Sequence, residues 1–178
     1  MSASDNPIED ALFPKGTEFD ENTVGHLLEQ YKLLVQTSET LVTRRQSVHT
    51  FFLSVNTLLL TAIGLVTKEL SGGVLENSNP LIFVLGLTGV LLAISWHRII
   101  KSYGQLNRGK FTIINLLEKK LPASMFEAEW IALGEGKDKK IYRPFTSAET
   151  LIPRIFGLLY IAAMFQSIVG FEKIFKWF

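Results

Sequence analysis

The sequence predicts an all-α membrane protein with three transmembrane helices, and three observations carry that reading. Apolar residues, 47% of the 178, gather into long blocks instead of recurring at the period of a soluble core. Three of those blocks reach the roughly 20 mostly apolar residues that a helix needs to cross hydrocarbon. Amphipathic stretches adjoin the first two blocks without an intervening proline, so both helices are expected to run on as a cytoplasmic helical hairpin.

Residues 1–22 read as an N-terminal cytoplasmic tail, with no apolar run long enough for a secretory signal. Residues 23–67 read as an amphipathic cytoplasmic helix continuing into the first span, Val48 to Thr67. At 1.5 Å per residue such a helix is roughly 65 Å long. Asp20, Glu21 and Asn22 suit its start, because acids and small polar caps favour an N-terminal turn. Val24, Leu28, Tyr31, Val35, Ser38 and Val42 recur at alternating spacings of four and three, with Leu27, Leu34 and Leu41 every seven residues beside them. The pattern is a heptad-like seam.

Residues 68–79 read as an external loop around Ser71-Gly72-Gly73. Residues 80–121 hold the second span, Pro80 to Ile100, and its continuation. There Tyr103, Leu106, Ile113, Ile114, Leu117 and Leu121 form a broken stripe that Pro122 ends. Residues 122–147 read as a short helix and a loop: Ser124 and Glu127 are spaced as a capping box, and 134–140 is a solvated loop. Residues 148–178 hold the third span, Leu151 to Phe171, and a short external C-terminus. Thr146 and Glu149 are spaced as its capping box, and Pro153 falls in its first turn, where proline is tolerated. The apolar cytoplasmic stripes either cover each other within one subunit or meet neighbouring subunits; Tyr31, Val35, Phe111 and Trp130 together exceed what one small layer can hide, so homo-oligomerisation is expected.

Orientation follows the Lys/Arg bias of the flanks. The N-terminus, residues 98–150 and Arg154 hold fifteen of the 18 Lys and Arg. The first loop and the C-terminus hold the other three, Lys68, Lys173 and Lys176. The N-terminus is therefore expected in the cytoplasm and the C-terminus outside. Trp96 and Trp177 are expected as interfacial anchors.

The polar residues near or inside the spans define the candidate sites. Asn56, Thr57, Thr61 and Gln166 either line a lumen or bind helices together. His97, Arg98, Arg143 and Arg154 are candidates for lipid headgroup contact. Gly86, Gly89 and Ala93 on the second span, and Ala163 and Ser167 on the third, are small residues that allow close helix packing. His49 and His97 lie near the same predicted interface and are candidates to face each other as a proton-sensing pair.

Other chemistry is excluded or unsupported. The absence of cysteine removes disulfides and thiolate sites. No histidines stand at metal-ligand spacing, and no phosphate-binding loop or nucleophile elbow occurs. No Asp or Glu lies deep within a span, against a buried-acid proton relay. A net charge of +1 predicts no bulk attraction to nucleic acid or to anionic membrane. No enzymatic activity, metal or cofactor is expected; the partners expected are further copies of the chain and membrane lipid.

Beyond the second span the sequence reads Tyr103, Gln105-Leu106-Asn107-Arg108-Gly109-Lys110-Phe111, Ile114, Leu117-Glu118, Leu121-Pro122, Phe126 and Glu129-Trp130, then Tyr142, Thr146, Glu149 and Ile152-Pro153. This stretch resembles the bacterial RipA family of octameric membrane proteins, over roughly residues 25 to 170. Gly109 stands where alanine is expected. The resemblance implies a homo-octameric ring in the bacterial cytoplasmic membrane and a link to proliferation inside host cells, without implying a reaction. Three functions fit: a non-enzymatic scaffold for envelope homeostasis or partner recruitment, a pore along the ring axis, and a lipid-binding protein.

Overall fold

The computed structural model describes residues 7–14, 16, 20–71, 79–138, 140–142 and 149–175, and their side chains except those of 70, 71, 79 and 169–175. All regular structure among them is helical: α1 (Pro7–Leu12), α2 (Glu21–Ser71), α3 (Asn79–Glu118), α4 (Met125–Ala132), a 3-10 turn at Gly134–Gly136, and α5 (Leu151–Phe175). Helices α2, α3 and α5 are long and apolar enough to cross a membrane. At 1.5 Å per residue the 51-residue α2 is ~75 Å long and the 40-residue α3 ~60 Å.

The helix ends follow local chemistry. Thr23 N–H donates to Asp20 Oδ1 at 2.7 Å, an N-cap for α2. The Thr23 side chain, and then this N–H bond, hold the Asp20 carboxyl below the usual carboxylate range. Helix α3 closes with tight i→i+3 bonds, from Lys120 N–H to Leu117 O and from Leu121 N–H to Glu118 O, just before Pro122. Pro153 is the third residue of α5 and is fully buried. There its missing N–H costs no helical bond. Helix α1, which the sequence reading left inside the tail, starts on Pro7 and places Leu12 and Phe13 against an apolar cluster.

The chain forms two compact units. The first comprises Met1–Arg44 and Tyr103–Pro144. Its core is Leu27, Tyr31, Ile114 and Leu117, flanked by Leu34, Val35, Phe111 and Phe126. Full burial of such a side chain stabilises by about 1.5–3 kcal/mol. The seam is turned by one residue from the expectation. The buried stripe of α2 is Leu27, Tyr31, Ser38 and Leu41, whereas Val24, Leu28 and Val42 stay exposed on its flank. Of the four residues expected not all to be hidden within one subunit, Tyr31 is buried within its own chain and Trp130 stays exposed.

The second unit comprises Arg45–Ser102 and Phe145–Phe178. Its clusters centre on Phe52, Trp96 and Ile100, and on Ile63, Ile82 and Tyr160. Trp96 is no interfacial anchor. It is wholly buried, stacked on Phe52 at 5.9 Å between centroids and in contact with His49 and Phe156 at 5.1 and 6.0 Å. Its aromatic neighbours on both other helices hold the ring inside the bundle. The second candidate anchor, Trp177, lies outside the described residues, as do Gly72 and Gly73 of the predicted loop.

Candidate functional site

In hydrocarbon, apolar side chains gain nothing by leaving lipid, so helices associate through close packing and shared hydrogen bonds. Helices α3 and α5 use the first device. A Cβ on Gly89 would fall 2.4–2.5 Å from the Tyr160 ring, and one on Gly86 would fall 2.5 Å from Met164 Cγ. A Cβ on Gly157 would meet that of Ala93 at 3.7 Å. Pairing residue 86 with 164, 89 with 160 and 93 with 157 shows that the two helices run antiparallel. Ala163 packs at the edge of the Tyr160 cluster, and Ser167 is buried with its hydroxyl donating to Met164 O at 2.7 Å.

The second device joins α5 to α2. Tyr160 O–H donates to Asn56 O and Oδ1, at 2.9 and 3.0 Å. Asn56 Nδ2 donates to Phe52 O of its own helix at 2.8 Å. Asn56 is fully buried, whereas Thr57 and Thr61 are exposed and bond back to Leu53 O and Thr57 O. The three residues read together as lumen candidates therefore face different ways. Gln166 is exposed on α5.

Along the same α3–α5 contact the helices leave a groove of about 600 Å³. Val90, Ala93, Ile94, His97 and Arg98 line it from α3, and Pro153, Arg154, Gly157, Leu158 and Ile161 from α5. Because the helices are antiparallel, the cationic pair Arg98 and Arg154 shares one end with His97, and Val90 and Ile161 share the other. At 1.5 Å per residue the lined stretch of α3 is ~12 Å long. Three of the four residues read as headgroup contacts thus converge, while the fourth, Arg143, lies outside the described residues. Nδ1 of His97 and Nδ1 of His49 are each buried without a hydrogen-bond partner. The expected pairing of the two histidines through these atoms is absent; His49 packs on Trp96 instead. Arg45 pairs with Glu149 at 3.4 Å. Thr146, the other half of that predicted capping box, lies outside the described residues.

Sequence reasoning missed Glu118. This side chain is fully buried in the first unit. Its Oε1 accepts from Tyr31 O–H at 2.8 Å, and its two carboxyl oxygens accept from Phe126 N–H at 3.1 Å each. Oε2 also takes Glu127 N–H at 3.4 Å. Ser124, read as the cap of α4, makes no side-chain capping bond. A carboxyl offers two acceptors to the orphan N–H groups where a hydroxyl offers one, and its charge suits a helix N-terminus. Burial, followed by the bond to Glu118, pushes the Tyr31 hydroxyl up to about 12. The signal was present: Glu118 lies four residues after Ile114 and three before Leu121, in the middle of the apolar stripe.

Comparison with known proteins supplies one match. A family model described as the octameric membrane protein family (8xMP) matches residues 28–169. No curated protein and no solved structure matches the chain.

Proposed function

The chain belongs to the octameric membrane protein family, and from that premise we propose that it acts as a non-enzymatic scaffold, a ring of eight copies in the bacterial inner membrane. In this reading the first unit is a cytoplasmic helical layer. The observation that carries the proposal is the flank of α2: Val24, Leu28 and Val42 remain exposed, at 37–40%, beside a seam already filled from within. Exposed Leu28 and Val42, with half-buried Val35 between them, follow at seven-residue intervals, the spacing of a coiled-coil edge. Met125, Trp130 and Ile131 leave α4 apolar on its outside as well. Exposed apolar rows of this kind mark association surfaces. The polar groups buried inside the chain favour a structural role: Glu118 caps a helix and Asn56 ties α2 to α5.

The chain has no cysteine, so one introduced at Leu28 reports on assembly directly. Oxidation of Leu28→Cys in native membranes is expected to give a disulfide-linked dimer, one bond per thiol, and bifunctional amine crosslinking through the lysines is expected to give a ladder ending at eight. Leu28→Asp should shorten the ladder while leaving the Leu27–Tyr31 core folded. Monomer alone would overturn the scaffold. Orientation is tested with impermeant thiol reagents: a cysteine at Ser78 should react from outside and one at Lys139 should not. The likeness to the RipA family extends the reading to proliferation inside host cells, to be tested by deletion and complementation. A pore is the competing reading. It needs polar residues facing a lumen, but Asn56 is occupied by Tyr160, so Asn56→Leu should lower stability and leave any conductance of the reconstituted ring unchanged.

A further inference from the structure

We propose that the groove between α3 and α5 is a binding site for one acidic phospholipid, with an acyl chain along its apolar length and the phosphate held between Arg98 and Arg154. The inference uses the membrane placement of the chain and is independent of the scaffold. Snorkelling alone would bring each arginine to the headgroup region separately. The structure does more, since it brings an arginine from each of two helices to the lining of one groove.

The charge pattern selects the occupant. The walls are hydrocarbon and small residues, Val90, Ala93, Ile94, Gly157 and Ile161, and no carboxylate is among the lining residues. Both arginines are exposed, and among the described residues neither is held in an ion pair, so both forks remain open to an anion. Guanidinium groups match phosphate oxygens bidentately. Arg154 lies in the first turn of α5, where the helix dipole adds positive potential. His97 lines the groove at the same end. An apolar slot with cationic groups at one end fits an amphiphile with an anionic head. A zwitterionic lipid fills the slot equally well but brings no net charge to the mouth.

The test uses the full-length protein reconstituted in nanodiscs of mixed phosphatidylglycerol and phosphatidylcholine, then released for native mass spectrometry of retained lipid. The unmodified protein should keep phosphatidylglycerol in preference. At about fivefold per basic group near a membrane surface, two groups imply a preference of roughly 25-fold. The double variant Arg98→Gln/Arg154→Gln should lose that preference, and Arg98→Lys/Arg154→Lys should keep the part due to charge and lose the part due to bidentate pairing. Ile94→Trp, which fills the slot from an exposed position, should lower retention of both lipids. Circular dichroism checks that each variant is helical. Equal retention of the two lipids, or a preference that survives Arg98→Gln/Arg154→Gln, overturns the proposal. So does loss of assembly in Ile94→Trp with lipid retention intact, which would assign the groove to a second copy. Preferential retention by a monomer would sink the octameric scaffold and leave the lipid site standing.

Discussion

Replacing Glu118 by alanine removes the acceptor of three donor groups at once, and the structure sets the size of the effect. The carboxyl accepts from Tyr31 O–H and from the first N–H groups of α4. Loss of a helix cap costs about 1 kcal/mol. The Tyr31 hydroxyl, 6% exposed as part of its residue, would then be buried without a partner, at about 1–3 kcal/mol. Together these come to ~3 kcal/mol, or about a hundredfold in an opening equilibrium. Helix α4 has eight residues and none is buried, so it has little else to hold it. Hydrogen exchange of the amides of residues 125–132 should therefore accelerate by roughly a hundredfold in Glu118→Ala. Glu118→Gln, which retains one carbonyl acceptor, should fall in between. Glu118→Ala/Tyr31→Phe should be less damaged than the sum of its parts by about 1 kcal/mol, because the orphaned hydroxyl is gone. If exchange across α4 in Glu118→Ala stays within about threefold of the unmodified protein, the capping argument fails.

Two further outcomes follow from the geometry. Gly89→Ala drives a methyl into the Tyr160 ring and should destabilise the protein by about 1–3 kcal/mol in detergent thermal melts; Gly25→Ala, with open space around it, should instead stabilise by about 0.5–1 kcal/mol. Tyr31 precedes the apolar block that starts at Val48, and its hydroxyl is pushed up to about 12. Folding therefore favours its neutral form: the stabilisation is complete below pH 10 and is lost as pH rises through about 12. Tyrosinate absorbance should show a late step near pH 12 that loses one tyrosine's amplitude in Tyr31→Phe, and a Tyr31 step near pH 10 would contradict the buried bond.

The three long helices were legible because block length and uninterrupted helical pattern are properties of one segment at a time. Asp20 and Pro122 punctuated α2 and α3 for the same reason. What escaped depends on a partner. The stripes Val24-Leu28-Tyr31-Val35 and Leu27-Tyr31-Leu34-Ser38 share one period, and only the packing of Ile114 and Leu117 decides which faces inward. Trp96 stands at the end of an apolar block, where an anchor belongs, until Phe52 and Phe156 enclose it. Arg98 and Arg154 were each readable as basic residues at a boundary, but their meeting at one groove requires the antiparallel glycine contact between α3 and α5. Glu118 was hidden by the expectation that a cap lies next to its helix in sequence. The residue that caps α4 is the last residue of α3.

The amide of Asn56 has a bearing on how the chain is made. Its acceptor waits for Tyr160, 104 residues downstream, while its donor is already bonded to Phe52 O within α2. At roughly 5–20 residues per second, synthesis leaves an interval of about 5–20 seconds before that partner emerges from the ribosome. During this time the nascent first helix can enter the bilayer with one of the two N–H donors of that amide occupied. The polar atom left over is a carbonyl oxygen, poised to recruit the third helix when it arrives.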